Sequence, residues 1–290
     1  MIKVLHPGLM TSIQDMGRKG VAKYGVPESG VMDEYSANYA NLMLQNEQQT
    51  NLIEITLQGP KLQFESDAVL VCSGLDAKIV LNSKPVSMHT VFEVKKGDVF
   101  HIQQVTEGNY VYLGCKGGFE TETILGSTSF YTGVTKQAQL QKGDFLNINS
   151  ITSTEVNAST ETHSNLKYKK GFFDNDSIEV YKGPEFNQLT QKQQKQLFQS
   201  VFHLSKNYNR MAFQLEESFD NELSSIMTSP VIPGTVQLTP DGKLIILMKD
   251  AQTTGGYPRV LQLTKEAISK LAQKRQQQNI QFQQVADVDS

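Results

Sequence analysis

The chain has 290 residues, 38% of them hydrophobic and 20% charged, which is enough for two modest domains that each bury a core. Its net charge of -3 supplies no global field that would draw it onto nucleic acid or an anionic membrane. No stretch reaches the roughly 20 apolar residues of a membrane helix, and Pro7-Gly8 interrupts the N-terminus before a signal-peptide core can form; a soluble, cytoplasmic protein is expected.

In chain order, Asp33 is an N-cap candidate for a helix carrying Tyr35, Tyr39, Leu42 and Met43 at helical spacing, ending before Asn46. Short strands are expected at 53–57, 68–72, 78–81, 91–94, 99–102 and 110–113. Gly59-Pro60, Ser73-Gly74, Asn82-Ser83 and Lys96-Gly97-Asp98 act as turn signals among them. Such spacing suggests an all-β sandwich or barrel. Residues 150–165 are rich in serine, threonine and asparagine, which bond their own backbone and add little to a core. The division is therefore placed there: a first unit at 1–150, a linker or loop at 151–176, and a second unit at 177–290.

The second half opens with a strand at 177–181 and Gly183-Pro184. A glutamine-rich helix at 190–200 follows, then strands at 201–204, 211–215, 235–238, 244–248 and 260–263. Thr264 caps a last helix with Ala267, Ile268, Leu271 and Ala272 on one face. Gly-Pro recurs after a strand in both halves, and Lys-Gly-Asp recurs at 96–98 and 142–144. Shared turn chemistry accounts for this as well as duplication does. Cys72 and Cys115 are far apart, in or at the end of apolar strands, and read as buried, inert thiols. The five histidines are scattered, with no His-Glu-x-x-His pair, and no metal site is expected.

Four loops concentrate polar chemistry. Gln14-Asp15-Met16-Gly17-Arg18-Lys19-Gly20 can bring backbone and a guanidinium against an anion, or Asp15 and Arg18 can simply tie a turn. Gly25-Val-Pro-Glu-Ser-Gly30-Val-Met-Asp33 can leave amide N–H groups facing an anion at a helix start, or can be an ordinary turn with a cap. Asp250-Ala-Gln-Thr-Thr-Gly-Gly-Tyr-Pro-Arg259 spends more functional groups than a hairpin needs. Tyr208-Asn-Arg210-Met211 offers an arginine that can equally bridge an acidic side chain. Only four residues are arginine, and three of them (Arg18, Arg210 and Arg259) sit in these loops. Arginine is favoured over lysine for planar, bidentate recognition, so an anion-handling site is suggested. There is no phosphate-binding Gly-x-x-x-x-Gly-Lys loop, no Gly-x-Ser-x-Gly elbow and no Met-Lys-Met biotin-attachment signature.

Together, Pro7-Gly-Leu9, Gln14 through Gly20, Gly25 through Asp33, Glu54-Ile-Thr, Gly59-Pro60, Arg210-Met211, Pro233-Gly-Thr-Val-Gln237 and Asp250 through Pro258 resemble one family. It is that of the 5-oxoprolinase C-type component, also described as allophanate hydrolase subunit 2, the Kip-inhibitor antagonist, or the biotin-dependent carboxyltransferase family. The resemblance implies a mainly β fold of two cyclophilin-like β-barrel units without prolyl isomerase activity. It implies a tight partner in a B-type, Kip-inhibitor-like subunit, and an A-type subunit that completes ATP-driven (with Mg2+) opening of 5-oxoproline to glutamate. Larger relatives pass carboxyl groups from biotin to urea, and a purely regulatory paralogue is a third reading. On this resemblance Asp15, Arg18, Asp250 and Arg259 are the catalytic candidates, with each aspartate a base or a structural anchor. Gln14, Ser29, Gly30, Met32, Asp33, Arg210, Gln237, Gln252, Thr253, Thr254, Gly255, Gly256 and Tyr257 are the substrate-binding candidates. The chain departs from the family at Thr128, where an arginine is usual after Leu-Gly-Ser, at Tyr208-Asn209 before Arg210, and at Gln214.

Overall fold

The computed structural model describes residues 1–149 and 166–285, so the polar run at 150–165 lies outside the described residues. The chain divides into two compact units, 1–18 with 29–170 and 19–28 with 171–290. The loop residues 19–28 thus belong with the second unit and not with the flanking sequence. The protein is mainly β, one unit being a half-barrel and the other a closed barrel.

The half-barrel begins with β1 (Ile2–His6) and β2 (Met10–Gln14), before helix α1 (Glu34–Met43). After it come β3 (Leu52–Thr56), β4 (Lys61–Phe64), β5 (Ala68–Leu81), β6 (Lys84–Pro85) and β7 (Phe92–Val94). The long strand β8 (Val99–Cys115) precedes β9 (Phe119–Glu120) and β10 (Phe145–Ile148). The main path runs β2-β3-β8-β4-β1-β10-β9, with β5 also paired to β8. Four separate short strands were expected where β5 and β8 run unbroken. The turn signals are absorbed as bulges, with register shifts at Gly74/Asp76, Asp76/Ala77 and Lys78/Ile79; a bulge spends an extra residue yet keeps the strands paired. Alternation sends Ile13, Ile53, Ile55, Cys72 and Leu113 into the core and leaves their neighbours on the other face.

Part of the expected linker is docked. The Tyr168 ring stacks on His89 at 4.0 Å, the Tyr168 and Ser36 hydroxyls lie 2.8 Å apart, and Tyr39 donates to the Leu166 carbonyl at 3.3 Å. Residues 166–170 therefore belong to the packing of α1 rather than to a free connection.

The second unit contains β11 (Ser177–Lys182), helix α2 (Gln191–Gln199), β12 (Phe202–Tyr208), β13 (Ala212–Ser218) and β14 (Ser229–Pro230). It continues with β15 (Thr235–Leu238), β16 (Lys243–Leu247), β17 (Thr254–Gly255) and β18 (Arg259–Leu263). Helix α3 (Lys265–Ala272) and β19 (Asn279–Gln284) complete it. The barrel order is β11-β18-β15-β16-β13-β12-β19, closed by parallel pairing of β19 with β11. Thr190 opens α2 with a capping box to Gln193, and Thr264 caps α3. β19 was not expected from its glutamine-rich sequence, although Ile280 and Phe282 alternate into the core. The two Gly-Pro signals mark close backbone approaches. A Cβ on Gly183 would lie 2.1 Å from the Arg259 carbonyl oxygen, and one on Gly59 would lie 2.5 Å from Ile102 Cβ. Among the described residues, no helix is long and apolar enough to cross a membrane.

Cys72 and Cys115 are both buried free thiols, as the apolar strand positions suggested. Burial pushes both thiols up, Cys115 to about 12, which removes the reactive thiolate at neutral pH. Ellman titration is expected to find no accessible thiol in the native protein and two in denaturant; fast native labelling would contradict this packing.

Candidate functional site

A row of polar residues crosses the half-barrel on the face opposite its core. Register sets Ser12 beside Glu54, Glu54 beside Tyr112, and Tyr112 beside Ser73. All four are buried, and the row receives the start of α1. Met32 N–H donates to Glu54 Oε2 at 2.7 Å, and Asp33 N–H donates to the Tyr112 hydroxyl at 2.8 Å. Tyr112 in turn donates to Glu54 Oε2 at 2.9 Å, and Ser73 donates to the Ser36 carbonyl at 2.6 Å. Burial, reinforced by the charges of Glu54 and Asp33, holds the Tyr112 phenol well above its ordinary pKa, so it remains a hydrogen-bond donor.

Two more amides of the same loop are also taken. Gly30 N–H donates to Gln14 Oε1 at 3.2 Å, and Val31 N–H donates to the Asp15 carbonyl at 2.9 Å. Of the two readings open to this loop, the geometry fits the ordinary turn with a cap and not the anion cradle: the amides of Gly30, Val31, Met32 and Asp33 all have internal acceptors. Asp33 is the expected N-cap, with Oδ1 accepting from Ser36 N–H at 3.1 Å. Met32 is wholly buried and offers no side-chain surface to a ligand. Gly30, at φ 90°, leaves so little room that a Cβ would lie 2.8 Å from the Gly17 nitrogen. Ser29 beside it is 1% exposed at φ 56°, and its hydroxyl has no hydrogen-bond partner among the described residues.

Asp15 is a saturated carboxylate. Its Oδ1 accepts from the hydroxyls of Ser127 (2.6 Å) and Ser129 (2.7 Å) and from Gly17 N–H (2.8 Å). Its Oδ2 accepts from Thr128 N–H (2.7 Å) and Thr128 O–H (3.1 Å). Burial alone would raise its pKa, but these donors outweigh it and hold the carboxyl below its ordinary value. Of the two readings open to Asp15, this geometry fits the anchor and not the base. Thr128, where an arginine is usual, is thus part of the anchor. Arg18 is fully buried and donates from Nη2 to the Ser129 carbonyl at 2.5 Å, so it holds the same segment that Asp15 organises. Gln14 donates from Nε2 to Ser12 Oγ and the Phe130 carbonyl.

In the second unit the run at 250–258 is a crossover, not a hairpin. β16 and β18 both lie antiparallel to β15 and flank it, so they are parallel to each other and their link must travel the length of β15. The link lies over Gln237, which alternation turns away from Val236 and Leu238. Gln237 Nε2 donates to the Tyr257 carbonyl at 3.4 Å, and a Cβ on Gly255 would lie 2.5 Å from that nitrogen. An arginine–carboxylate pair holds each end. Arg210 Nε and Nη2 donate to Asp250 at 2.7 and 3.1 Å. Arg259 Nε and Nη2 donate to Glu185 at 2.9 and 2.8 Å, with Nη1 on the Pro230 carbonyl. The Arg259 hydrogen bonds hold the Glu185 carboxyl below its usual range, and Glu185 raises the guanidinium.

Of the readings left open, this geometry fits Arg210 as a bridge to an acidic side chain and Asp250 as an anchor, and Arg259, expected at a substrate anion, is engaged by Glu185. Pairing of Ala212 with Leu247 and of Gln237 with Arg259 puts the two arginines at opposite ends of the barrel strands, not in one cluster. Along the crossover, Thr254 and Tyr257 are exposed, and Gln252, Thr253, Gly255 and Gly256 are half-buried. Glu54, Tyr112, Ser127, Ser129 and Glu185 were not anticipated as site residues. An acid between Ile53 and Ile55 on an apolar strand was the one local signal, for Glu54.

The model of the carboxyltransferase domain, subdomain A and B, matches residues 24–284. The chain belongs to this family. It is similar to the C-type component of 5-oxoprolinase from Haemophilus influenzae, with 30% identity over 295 residues, covering 99% of this chain and 92% of that one. It is also similar to urea amidolyase of Saccharomyces cerevisiae, with 38% identity over 165 residues, but across 55% of this chain and 9% of that protein. Among solved structures, K. lactis urea amidolyase aligns at TM-score 0.84 and 27% identity over 97% of this chain and 18% of that one. The chain thus spans nearly all of the bacterial 5-oxoprolinase component but under a fifth of the solved amidolyase. In this member of the carboxyltransferase-domain family, the polar loops are held by internal partners at the positions described above.

Asp15→Asn is expected to destabilise the protein by about 2–4 kcal/mol at neutral pH, because it leaves several buried donors without a charged acceptor. The folded pKa of Asp15 lies below the ordinary 3.8, so its contribution is complete above that value and is lost as pH falls through the folded pKa. Denaturant unfolding should therefore show the gap between wild type and variant narrowing below pH 3.8; a gap that is absent at neutral pH contradicts the anchor.

Proposed function

We propose that this chain is the C-type component of a cytoplasmic, ATP-dependent 5-oxoprolinase that opens 5-oxoproline to glutamate together with A-type and B-type, Kip-inhibitor-like subunits. The observation that carries the reading is end-to-end correspondence with the Haemophilus influenzae 5-oxoprolinase component, 99% of this chain against 92% of that one. Opening an unactivated lactam requires its carbonyl oxygen to be made a leaving or charge-bearing group, and ATP with Mg2+ supplies that activation when bound.

Arg210, Arg259 and the loop amides of 30–33 suit phosphate by residue type but do not fit a phosphate cradle. Arg210 is engaged by Asp250, Arg259 by Glu185, and the amides of 30–33 by side chains and backbone. The reading accordingly assigns ATP and Mg2+ to the partner subunits, and the binding and orientation of substrate to this chain. Asp15 and Asp250 then serve as anchors. Gln252, Thr253, Thr254 and Tyr257 are the crossover side chains with surface to offer a ligand, on a segment fixed at both ends by ion pairs. Gln14 and Arg18 shape the loop around 127–130.

A second reading, a carboxyltransferase component of a biotin-dependent urea system, is favoured by the family model itself. It requires the biotin to be attached outside these 290 residues, which hold no Met-Lys-Met signature. Reconstitution separates the two. Purified A- and B-type subunits with this chain are expected to release glutamate from 5-oxoproline and ATP, and to lose that activity when this chain is omitted. Failure to do so, where the Haemophilus influenzae proteins succeed, sinks the 5-oxoprolinase reading; urea-dependent consumption of carboxybiotin would establish the second.

A further inference from the structure

We infer that a polar cavity in the first unit, at the turn that follows α1, is a binding site for a small organic cation bearing ammonium or guanidinium groups. It shares only Thr128 with the loops described above and does not depend on the 5-oxoprolinase reading.

The cavity has a volume of about 460 Å³ and lies between residues 47–51, which lead from α1 to β3, and residues 117–123 around β9. That size falls within the roughly 300–1,000 Å³ of small-molecule sites. Its walls are fixed by the protein's own hydrogen bonds. Asn51, 6% exposed, accepts from Phe119 N–H at 2.8 Å, and its Nδ2 reaches the Phe119 carbonyl, Thr121 Oγ1 and Thr128 Oγ1 at 2.9, 3.0 and 3.2 Å. Asn41 holds the Thr50 carbonyl at 2.8 Å, and Asn46 Oδ1 holds the Gly117 amide at 3.0 Å. Gly118, at φ 78°, lets the two walls meet, since a Cβ there would lie 2.7 Å from Thr50 Cγ2. Through Thr128 the frame continues to Asp15. The shape is therefore set before any ligand arrives, which lowers the ordering cost of binding.

The lining decides the chemistry of the ligand. It carries the carboxylates of Glu47 and Glu120, the hydroxyls of Thr50, Thr121 and Thr123, and the Gln49 amide. No lysine, arginine or histidine is among the described residues that line it. Lys116, next in sequence to the wall, donates instead to the Gln45 carbonyl at 3.1 Å. Neither glutamate carboxylate has an ion pair or hydrogen bond among the described residues.

A cavity lined by one sign of charge concentrates ligands of the opposite sign. Carboxylates and phosphates, 5-oxoproline and ATP among them, are disfavoured here. An apolar ligand finds only Phe119, which is 3% exposed. A metal ion finds two carboxylates, and no group of three or more candidate ligands occurs among the described residues. Ammonium and guanidinium groups match what remains, with carboxylates for the charge and hydroxyl or amide oxygens for the other N–H bonds. A molecule charged at both ends can meet both glutamates.

Isothermal titration calorimetry of the full chain with agmatine, and separately with spermidine, tests the site. At least one of the two is expected to bind one per chain, more weakly as salt rises. Joint Glu47→Gln and Glu120→Gln substitution is expected to weaken that binding at least about tenfold. Joint Glu216→Gln and Glu222→Gln substitution, at exposed carboxylates of the second unit, should leave it unchanged. Thr123→Arg, which puts a guanidinium into the cavity at an exposed position, should abolish it. An unchanged melting temperature shows that each variant is folded. Equal weakening by the two glutamate pairs would mark general attraction to an acidic protein and overturn the inference. So would phosphate binding as tightly as the amines, or a wild type that binds neither amine.

Discussion

The carboxylate of Glu54 is the point on which the first unit's polar architecture depends. It lies on the outward face of an otherwise apolar strand and accepts both the Met32 amide and the Tyr112 hydroxyl. One side chain thereby joins β3, β8 and the start of α1. The tyrosine it orients receives the Asp33 amide, and Asp33 caps the helix. Withdrawing Glu54 would leave two buried donors without an acceptor and would release the loop that carries Ser29, since unmade buried hydrogen bonds cost more than made ones contribute. Gln14 and Asp15 hold the preceding amides, so residues 30–33 are fixed by hydrogen bonds as well as by the burial of Val31 and Met32.

The second unit solves a different problem with the same chemistry. Its crossover must lie along the outside of β15, where Gln237 would otherwise face water, and it needs fastening at both ends. Arg210–Asp250 and Arg259–Glu185 do this with paired, largely buried forks. Such pairs add little net stability but are costly to break one partner at a time, which suits a segment whose course matters more than its contribution to the core. The polar side chains between the fastenings retain surface for a ligand.

How much of this was legible in the sequence followed the range of the interactions. Helix starts at Asp33, Thr190 and Thr264 rest on side chains bonding three residues along, and they read directly. The mainly β character did too, because alternation and turn residues are local signals. β5 and β8 were cut short in the sequence reading because Gly74 in β5 and Gly108 in β8 mark a bulge as readily as a turn, and β19 was missed because its outward face is glutamine. The partners of the conspicuous polar residues lie far along the chain: Asp15 meets Ser127 across 112 positions, Arg259 meets Glu185 across 74, and Arg210 meets Asp250 across 40. The scarcity of arginine drew attention to loops that are fastened by internal partners. It gave no information on whether each fork faced a ligand or a carboxylate of the same chain, since that depends on strand order.

Amide hydrogen exchange at residues 30–33, followed by mass spectrometry or NMR, tests the central claim most directly. If the loop is held as described, the amides of Gly30, Val31, Met32 and Asp33 exchange only through rare openings and are protected to a degree comparable with core strand β3, and Glu54→Gln accelerates Met32 and Asp33 together. Rapid exchange at these four amides in the wild-type chain would mean that they are open to solvent or to a ligand, and would contradict an internally satisfied loop.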